Sequence, residues 1–226
     1  MKYTSRFSQI PQKAEPKEQS ELVNQILYGE HFELIEEAGN WVKVKTTHDH
    51  YIGFIDSLFL DQCPFEEQPN AVVQAQDIHL KHGIIQIPEG GFSTEESHTI
   101  LPIAERAYQW LGTPYLWGGK TKWGVDCSGL IQVLMRPFFP NFPRDAFQQF
   151  PLGKEIEFDQ IEEGDIAFFE KNNKIHHVGV LVDKGTHIIH SSGFVKKNEL
   201  CADGIKNEKG EITHIFAGAR RFPLGK

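Results

Sequence analysis

The sequence predicts an α+β chain in two parts: a small β-barrel, then a domain in which helices pack on an antiparallel sheet. Residues 21–60 form short alternating segments with turn signals about every eight to twelve residues, which is typical of a small barrel. After residue 90 the hydrophobic period becomes helical, and strand patterns dominate again from residue 164. Helices that precede a run of strands favour α+β over a parallel βαβ arrangement.

Composition and charge narrow the class of protein. The 226 residues suit one large domain or two small ones, and 39% hydrophobic and 12% aromatic residues are enough for a core. The net charge is −8 at pH 7 without a basic run, so neither a nucleic-acid nor a membrane partner is expected. The amino terminus lacks a signal-peptide core and the three cysteines form no disulfide framework, so a cytoplasmic location is expected.

The barrel and its linker are predicted to occupy residues 1–90. Turns are expected at 28–30, 38–40 and 48–50, and the alternation in residues 41–45 gives one buried and one solvated face. A weaker strand pair is expected between residues 72 and 87. The proline and glycines of 88–91 are the best candidate for a boundary, which places the second domain at 91–226.

Cys127 lies at a predicted loop-to-helix junction. An apolar stripe at helical spacing follows it over residues 130–134, Pro137 ends the run, and glycines at 118, 119 and 124 leave room for a substrate chain. A thiol in the first turn of a helix is close to unpaired amides and to the positive end of the dipole, which favour the nucleophilic thiolate. The alternative is a buried structural cysteine.

A hairpin over residues 177–190 supplies two histidines. If Lys184 and Gly185 form a two-residue turn, 181 lies opposite 188 and 179 opposite 190. Side chains alternate between faces, so His177 and His190 share one face, and Gly179 leaves space between them. A nucleophilic thiol needs a base and the base needs an orienting group, roles that His177 and His190 fit. The same residues could instead supply three zinc ligands, although no fourth ligand lies at short spacing.

Six motifs in the same order resemble the NlpC-type family of bacterial cell-wall cysteine peptidases. They are YLWGG at 115–119, DCSG at 126–129, PRDAFQ at 143–148, GD at 164–165, HVG at 177–179 and IHSS at 189–192. The resemblance implies a papain-like catalytic core with Cys127 as nucleophile, His177 as general base and acid, and His190 as orienting residue. The first part of the chain is similar to the bacterial SH3-like barrels that precede this core in γ-D-glutamyl-L-diamino acid endopeptidases.

The resemblance also implies substrate contacts. Asp126 would accept the free amine of an N-terminal L-Ala, Ser128 and the pair Arg144–Asp145 would hold the region of the D-Glu carboxylate, and the Tyr115 hydroxyl would lie near the oxyanion. Among the barrel side chains, Tyr51 is predicted to reach the amine end of the substrate, ahead of Glu30 and Asp56. A plain helix N-cap is the alternative role for Asp126.

The function implied is hydrolysis of the γ-D-glutamyl-L-diamino acid bond in short murein peptides, without a metal or organic cofactor. A peptidyl or acyl transferase with the same triad, and a wall-binding protein without catalysis, are the alternatives.

Overall fold

A computed structural model describes residues 1–66, 71–72, 76–80, 83–87, 92–93 and 101–224 of the chain. The amino-terminal part is a six-stranded antiparallel sheet with the order β1-β4-β5-β6-β2-β3. Its strands are β1 Lys2–Thr4, β2 Gln9–Lys13, β3 Leu22–Leu27, β4 His31–Ala38, β5 Trp41–Thr46 and β6 Ile52–Asp56. The three predicted turns are confirmed, whereas the first two strands precede the segment in which strands were expected.

The interior of this small barrel is apolar. Alternation along β5 turns Val42 and Val44 inward, where they join a core cluster with Ile10, Ile26 and Phe32. Cys63 is buried in the same cluster, after a short 3₁₀ turn Ser57–Gln62. Because its thiol packs among hydrophobic side chains, Cys63 serves the barrel core.

Four short strands follow the barrel: β7 Ala71–Val72, β8 Gln76–Leu80, β9 Gly83–Ile87 and β10 Phe92–Ser93. The hairpin β8–β9 and the pair β7–β10 are both antiparallel, in agreement with the predicted strand pair. The predicted boundary at 88–91 lies outside the described residues, so the division at residue 90 stays a prediction.

Three helices and two short strands come next: α1 Ile103–Tyr108, β11 Lys120–Thr121, β12 Gly124–Val125, α2 Cys127–Met135 and α3 Ala146–Gln149. Helix α1 ends at Tyr108, and the chain continues as turns over residues 109–112. Helix α2 begins at Cys127 as predicted, because the Asp126 side chain caps it by accepting the Gly129 N–H at 2.7 Å. It ends at Met135 with Arg136 as its C-cap, next to Pro137, which cannot donate a backbone hydrogen bond.

The antiparallel sheet of the second part closes on itself, because β19 pairs with β14 on one side and with β18 on the other. Its order is β13-β19-β14-β15-β16-β17-β18. The strands are β13 Lys154–Ile156, β14 Ile166–Lys171, β15 Lys174–Val182, β16 His187–Ser192, β17 Phe194–Cys201, β18 Gly204–Lys206 and β19 Ile212–Arg221. The predicted α+β class, with helices on an antiparallel sheet after a small barrel, is confirmed; the closure and strands β13, β17 and β18 were not predicted.

Alternation along β15 divides the core in two. Val178, Val180 and Val182 face α1 and α2 in one cluster, whereas Leu181 joins Phe169 and other residues in the interior of the closed sheet. The catalytic candidates therefore lie where the start of α2 meets strand β15 of the closed sheet.

One local prediction is wrong. The turn between β15 and β16 is not the two-residue turn Lys184–Gly185, because the ladder already ends at the pair Val182–His187. Asp183 and Lys184 both have positive φ in the resulting four-residue loop. This loop keeps 181 opposite 188, so the predicted register is confirmed.

Arg220, near the end of β19, is buried. Its guanidinium stacks on Phe150 and donates to the Phe150 carbonyl.

No helix within the described residues is long and apolar enough to cross a membrane.

Candidate active site

Cys127 lies against the backbone of strand β15. Its side chain is buried, and the thiol donates to the carbonyl oxygen of His176 with Sγ 4.0 Å from that oxygen. The ladder between β15 and β16 ends at the pair Val180–Ile189, so this stretch of β15 has lost β16 as a partner. The start of α2 thus brings the sulfur to the strand segment that carries His177.

Burial decides the resting state of the thiol. Burial and the negative charge of Asp126 raise the pKa of Cys127 to about 12, although Arg144 and the backbone N–H groups of Ser128 and Val178 act in the opposite direction. The expectation that the helix start favours a thiolate is therefore wrong for the resting site. A thiol in this state needs a base at the moment of attack.

His177 and His190 contact each other, as the predicted register of the hairpin requires. Nε2 of His177 lies 2.7 Å from Nδ1 of His190, and the two rings are nearly perpendicular. A Cβ on Gly179 would lie 2.9 Å from Cβ of His190 and 2.6 Å from Cδ1 of Ile188. A side chain at position 179 would therefore displace His190 or its neighbour, which explains the glycine between the histidines.

The thiol does not yet hydrogen-bond to the base. Among the described residues the partner of the Cys127 thiol is the His176 carbonyl, not the His177 ring. Catalytic hydrogen bonds are often long or misaligned before substrate binds, so the geometry is that of a resting site in which the thiol must turn from a backbone acceptor to the imidazole.

Two residues that contact the histidines were not predicted from the sequence. The ring of His214, on β19, lies 4.2 Å from that of His177, and Asn198, on β17, places Oδ1 3.0 Å from Nε2 of His190. Burial and the neighbouring rings of His190 and His214 keep the pKa of His177 well below its usual value. Strand β17 reaches the site by pairing with β16, and strand β19 by pairing with β14 next to β15, so no pattern within a single segment of the sequence marks these residues.

Two tyrosines lie near the charged groups of the site. Burial, followed by the proximity of Cys127 and Asp126, raises the pKa of Tyr115, so its hydroxyl stays protonated. Burial and the charges of Asp145 and Asp126 raise the pKa of Tyr51 to about 12. The structure thus brings the predicted barrel residue to the acidic side chains beside the nucleophile.

Asp126 is engaged by four strong internal donors. The backbone N–H groups of Gly118 and Gly129 each donate at 2.7 Å, and Arg144 donates to both carboxylate oxygens. A carboxylate offers about four lone-pair sites, so these donors fill them, and the helix-cap alternative describes the contacts seen. Arg144, 1% exposed, also donates to Oγ of Ser128 and to Asn24 of the barrel. The substrate contacts assigned to Asp126, Ser128, Arg144 and Asp145 stay predictions.

A buried charge cluster joins the barrel to the catalytic part. Glu30 contacts Lys120 at 3.3 Å and also pairs with Arg136, and all three side chains are fully buried. Asp49, in the loop after β5, accepts a hydrogen bond from Gln132 of α2 at 2.8 Å. Lys120 and Arg136 lower the pKa of Glu30 against the opposing effect of burial. Glu30, weighed beside Tyr51 as a substrate contact, is therefore a structural counterion.

Comparison with known proteins agrees with this geometry. Residues 112–212 match the NlpC/P60 family, and residues 14–58 match the bacterial dipeptidyl-peptidase SH3 domain. The chain carries an NlpC/P60 domain. The predicted resemblance to the NlpC-type family of cysteine peptidases is therefore confirmed over residues 112–212, and the resemblance to a bacterial SH3-like domain over residues 14–58.

Two curated relatives illustrate the match. The γ-D-glutamyl-L-lysine dipeptidyl-peptidase of Bacillus subtilis (strain 168) is 36% identical over 110 residues, 47% of this chain and 37% of the relative. The probable endopeptidase NlpC of Escherichia coli (strain K12) is 38% identical over 96 residues, 41% of this chain and 62% of the relative. The chain thus spans less than two thirds of the length of either relative.

A solved structure shows the same two-part fold. An NlpC/P60 family protein from Bacillus cereus ATCC 10987 superposes with a TM-score of 0.79 and covers 98% of this chain and 99% of its own, at 17% identity. The likeness therefore extends over the barrel as well as the NlpC/P60 domain.

The zinc alternative finds no support in the arrangement of side chains. Within the described residues no group of three or more His, Cys, Asp or Glu is placed to hold a metal ion.

Proposed function

We propose that this protein is a cysteine peptidase that hydrolyses the γ-D-glutamyl-L-diamino acid bond of short murein peptides with a free N-terminal L-Ala. The observation that supports it most is the position of the barrel, whose Asn24 accepts a hydrogen bond at 3.2 Å from Arg144, the buried partner of Asp126 beside Cys127. A barrel docked at this point restricts the site to the end of a peptide.

The reaction proposed is acyl transfer to water. As Sγ of Cys127 bonds to the carbonyl carbon after γ-D-Glu, the thiol proton passes to His177. The backbone N–H of Cys127 and the protonated Tyr115 hydroxyl stabilise the oxyanion. His177 then returns its proton to the leaving diamino acid amine, and water, activated by the same ring, hydrolyses the thioester.

The acidic side chains explain the demand for a free amine. Burial and the negative charge of Asp126 raise the pKa of Asp145, although Arg144 opposes them. A cationic amine beside Asp145, Asp126 and the Tyr51 hydroxyl would relieve this repulsion between like charges. An N-acylated peptide brings no positive charge and gains none of this stabilisation.

The test is digestion of L-Ala-γ-D-Glu-diamino acid tripeptide beside its N-acetylated form, with products read by mass spectrometry. Release of the diamino acid from the free peptide alone is the expected result, and Cys127→Ala is the inactive control. Equal cleavage of both peptides would contradict the free-amine assignment, and cleavage of neither would contradict the murein substrate.

Two further measurements complete this test. Added competing amines should yield no new peptide product, whereas a transferase would produce one. A cytoplasmic location, which would suit recycled muropeptides as substrates, stays a proposal and would be checked by fractionating cells of the source organism.

A further inference from the structure

The hydrogen-bond chain behind His177 continues beyond His190 to Asn198. Oδ1 of Asn198 faces Nε2 of His190, and its amide nitrogen donates to the carbonyl oxygen of Lys206 at 3.0 Å. A carbonyl oxygen only accepts hydrogen bonds, so the group facing Lys206 has to be the NH₂ and the oxygen has to face His190. Strand β18 therefore fixes the orientation of the Asn198 amide.

This orientation determines which nitrogens of the two histidines carry protons. Burial lowers the pKa of His190 to about 4 and that of His177 well below its usual value, so both rings are neutral at pH 7. Oδ1 of Asn198 can only accept, which places the His190 proton on Nε2. Nδ1 of His190 then accepts from Nε2–H of His177, and Nδ1 of His177 is left with a free lone pair.

We propose that Asn198 is a positioning residue that, through His190, holds His177 in the tautomer whose Nδ1 accepts the thiol proton. The inference rests on the proposed function, because the tautomer matters to catalysis only if His177 takes the proton of Cys127. That proton moves to Nδ1 as the sulfur bonds to the carbonyl carbon, and it leaves with the diamino acid amine. Asn198 itself exchanges no proton.

Several other groups face the two rings and enter any pH profile. His176 comes from β15, Lys196 from β17 and His214 from β19, and each of them lowers the pKa of His177. Phe169 of β14 contributes an uncharged ring 6.0 Å from that of His177. Asn198 differs from all of these because it accepts a hydrogen bond and raises the pKa of His190.

Two substitutions separate positioning from structure. Asn198→Leu removes the acceptor, so we expect kcat to fall about 100-fold while KM stays within about twofold of the wild-type value. This loss is smaller than the ~10⁴-fold known when the residue that hydrogen-bonds the catalytic histidine itself is replaced and the wrong tautomer forms. Asn198→Asp keeps an acceptor oxygen but loses the donor to Lys206. It should retain kcat within about fivefold, and its added charge should move the acid limb of kcat/KM upward by about one pH unit.

A purely structural role would act through the bond to Lys206, and the two variants would then lose activity equally. That result, or a wild-type kcat in Asn198→Leu, would overturn the inference. Lys197→Ala is the matched control: Lys197 is the preceding residue of β17, and its amine pairs with Asp183 at an exposed site. It should leave kcat unchanged.

Nitrogen NMR of the imidazole rings tests the tautomers without substrate. In the wild type, His177 and His190 should both carry the proton on Nε2 at pH 7, and Asn198→Leu should show a mixture. A proton on Nδ1 of His190 in the wild type would refute the inference even if Asn198→Leu failed to fold. The NMR spectra need no turnover, so they test the tautomers independently of the proposed function. If the protein cleaved no murein peptide, the proposed function would be contradicted, and the spectra would still decide the tautomer assignment.

Discussion

The pair Arg144–Asp126 gives the sharpest test of how this site is held together. Both side chains are almost inaccessible to solvent, and two parallel hydrogen bonds join them. The Asp126 carboxylate, and to a smaller extent Asp145, keeps the pKa of Arg144 above its already high value despite burial. We expect Arg144→Met to leave the Asp126 carboxylate buried without this counterion, with the backbone N–H groups of Gly118 and Gly129 and the Ser128 hydroxyl as its partners.

The magnitude follows from breaking a buried ion pair on one side. Removal of one partner costs about 3–5 kcal/mol, and a chain of this size loses about 2–4 °C of Tm per kcal/mol, so a decrease in Tm of about 6–20 °C is expected. Tryptophan fluorescence during urea unfolding gives the free energy, and calorimetry gives Tm. Arg6→Met is the control, because Arg6 pairs with Glu66 where both side chains are about half exposed, and we expect it to cost at most about 1 kcal/mol.

A double variant completes this test. Asp126→Asn retains an N-cap acceptor and removes the charge, so Arg144→Met combined with Asp126→Asn should be more stable than Arg144→Met alone, with a coupling of at least about 1 kcal/mol. If Arg144→Met costs no more than Arg6→Met, or if the two substitutions simply add, the ion pair does not hold the site together.

Three further outcomes are expected. Glu30→Gln removes a buried carboxylate that Lys120 and Arg136 share and should lower the free energy of unfolding in urea by about 3 kcal/mol or more; a decrease no larger than that of Glu33→Gln, at an exposed pair, would contradict this. Gly179→Ala should lower kcat at least about tenfold with little change in KM, because the added Cβ would contact His190; unchanged kinetics would show that the site tolerates the displacement. The pKa of His190 is about 4 in the folded protein against 6.5 in the unfolded chain, so the unfolded chain binds the proton first as pH falls. The free energy of unfolding should therefore be unaffected by this group above pH 6.5 and about 3 kcal/mol lower at pH 4. Equal free energies of unfolding at pH 7 and pH 4.5 would refute the buried neutral histidine.

The features that the sequence predicted correctly are those that depend on a single segment of the chain. The start of α2 at Cys127 follows from an N-capping aspartate ahead of an apolar helical stripe, and the shared face of His177 and His190 follows from strand alternation about a short loop. The loop type was mistaken, yet the register was right because alternation constrains pairing more strongly than the turn does. Family motifs extended this local information to a fold and an enzyme class.

The pairing of distant strands supplied what the sequence could not. Asn198 lies on β17, which pairs with β16, and His214 lies on β19, which pairs with β14, and Asn198 has no motif of its own. The pKa of the Cys127 thiol likewise depends on the tertiary structure. The helix start predicts an activated thiolate, but burial of Cys127 beside Asp126 has the larger effect and raises its pKa.

The sequence by itself predicted that Cys127 starts a helix, that His177 and His190 share one face, and that the chain has two parts, because each of these features is encoded within a few dozen neighbouring residues. Only the tertiary structure decided the partners of the buried charges. Glu30 and Arg136 are 106 residues apart in the chain and Asp126 and Arg144 are 18 apart. A buried charge has to be matched by whichever opposite charge the fold brings within a few ångströms, and sequence spacing does not reveal that distance.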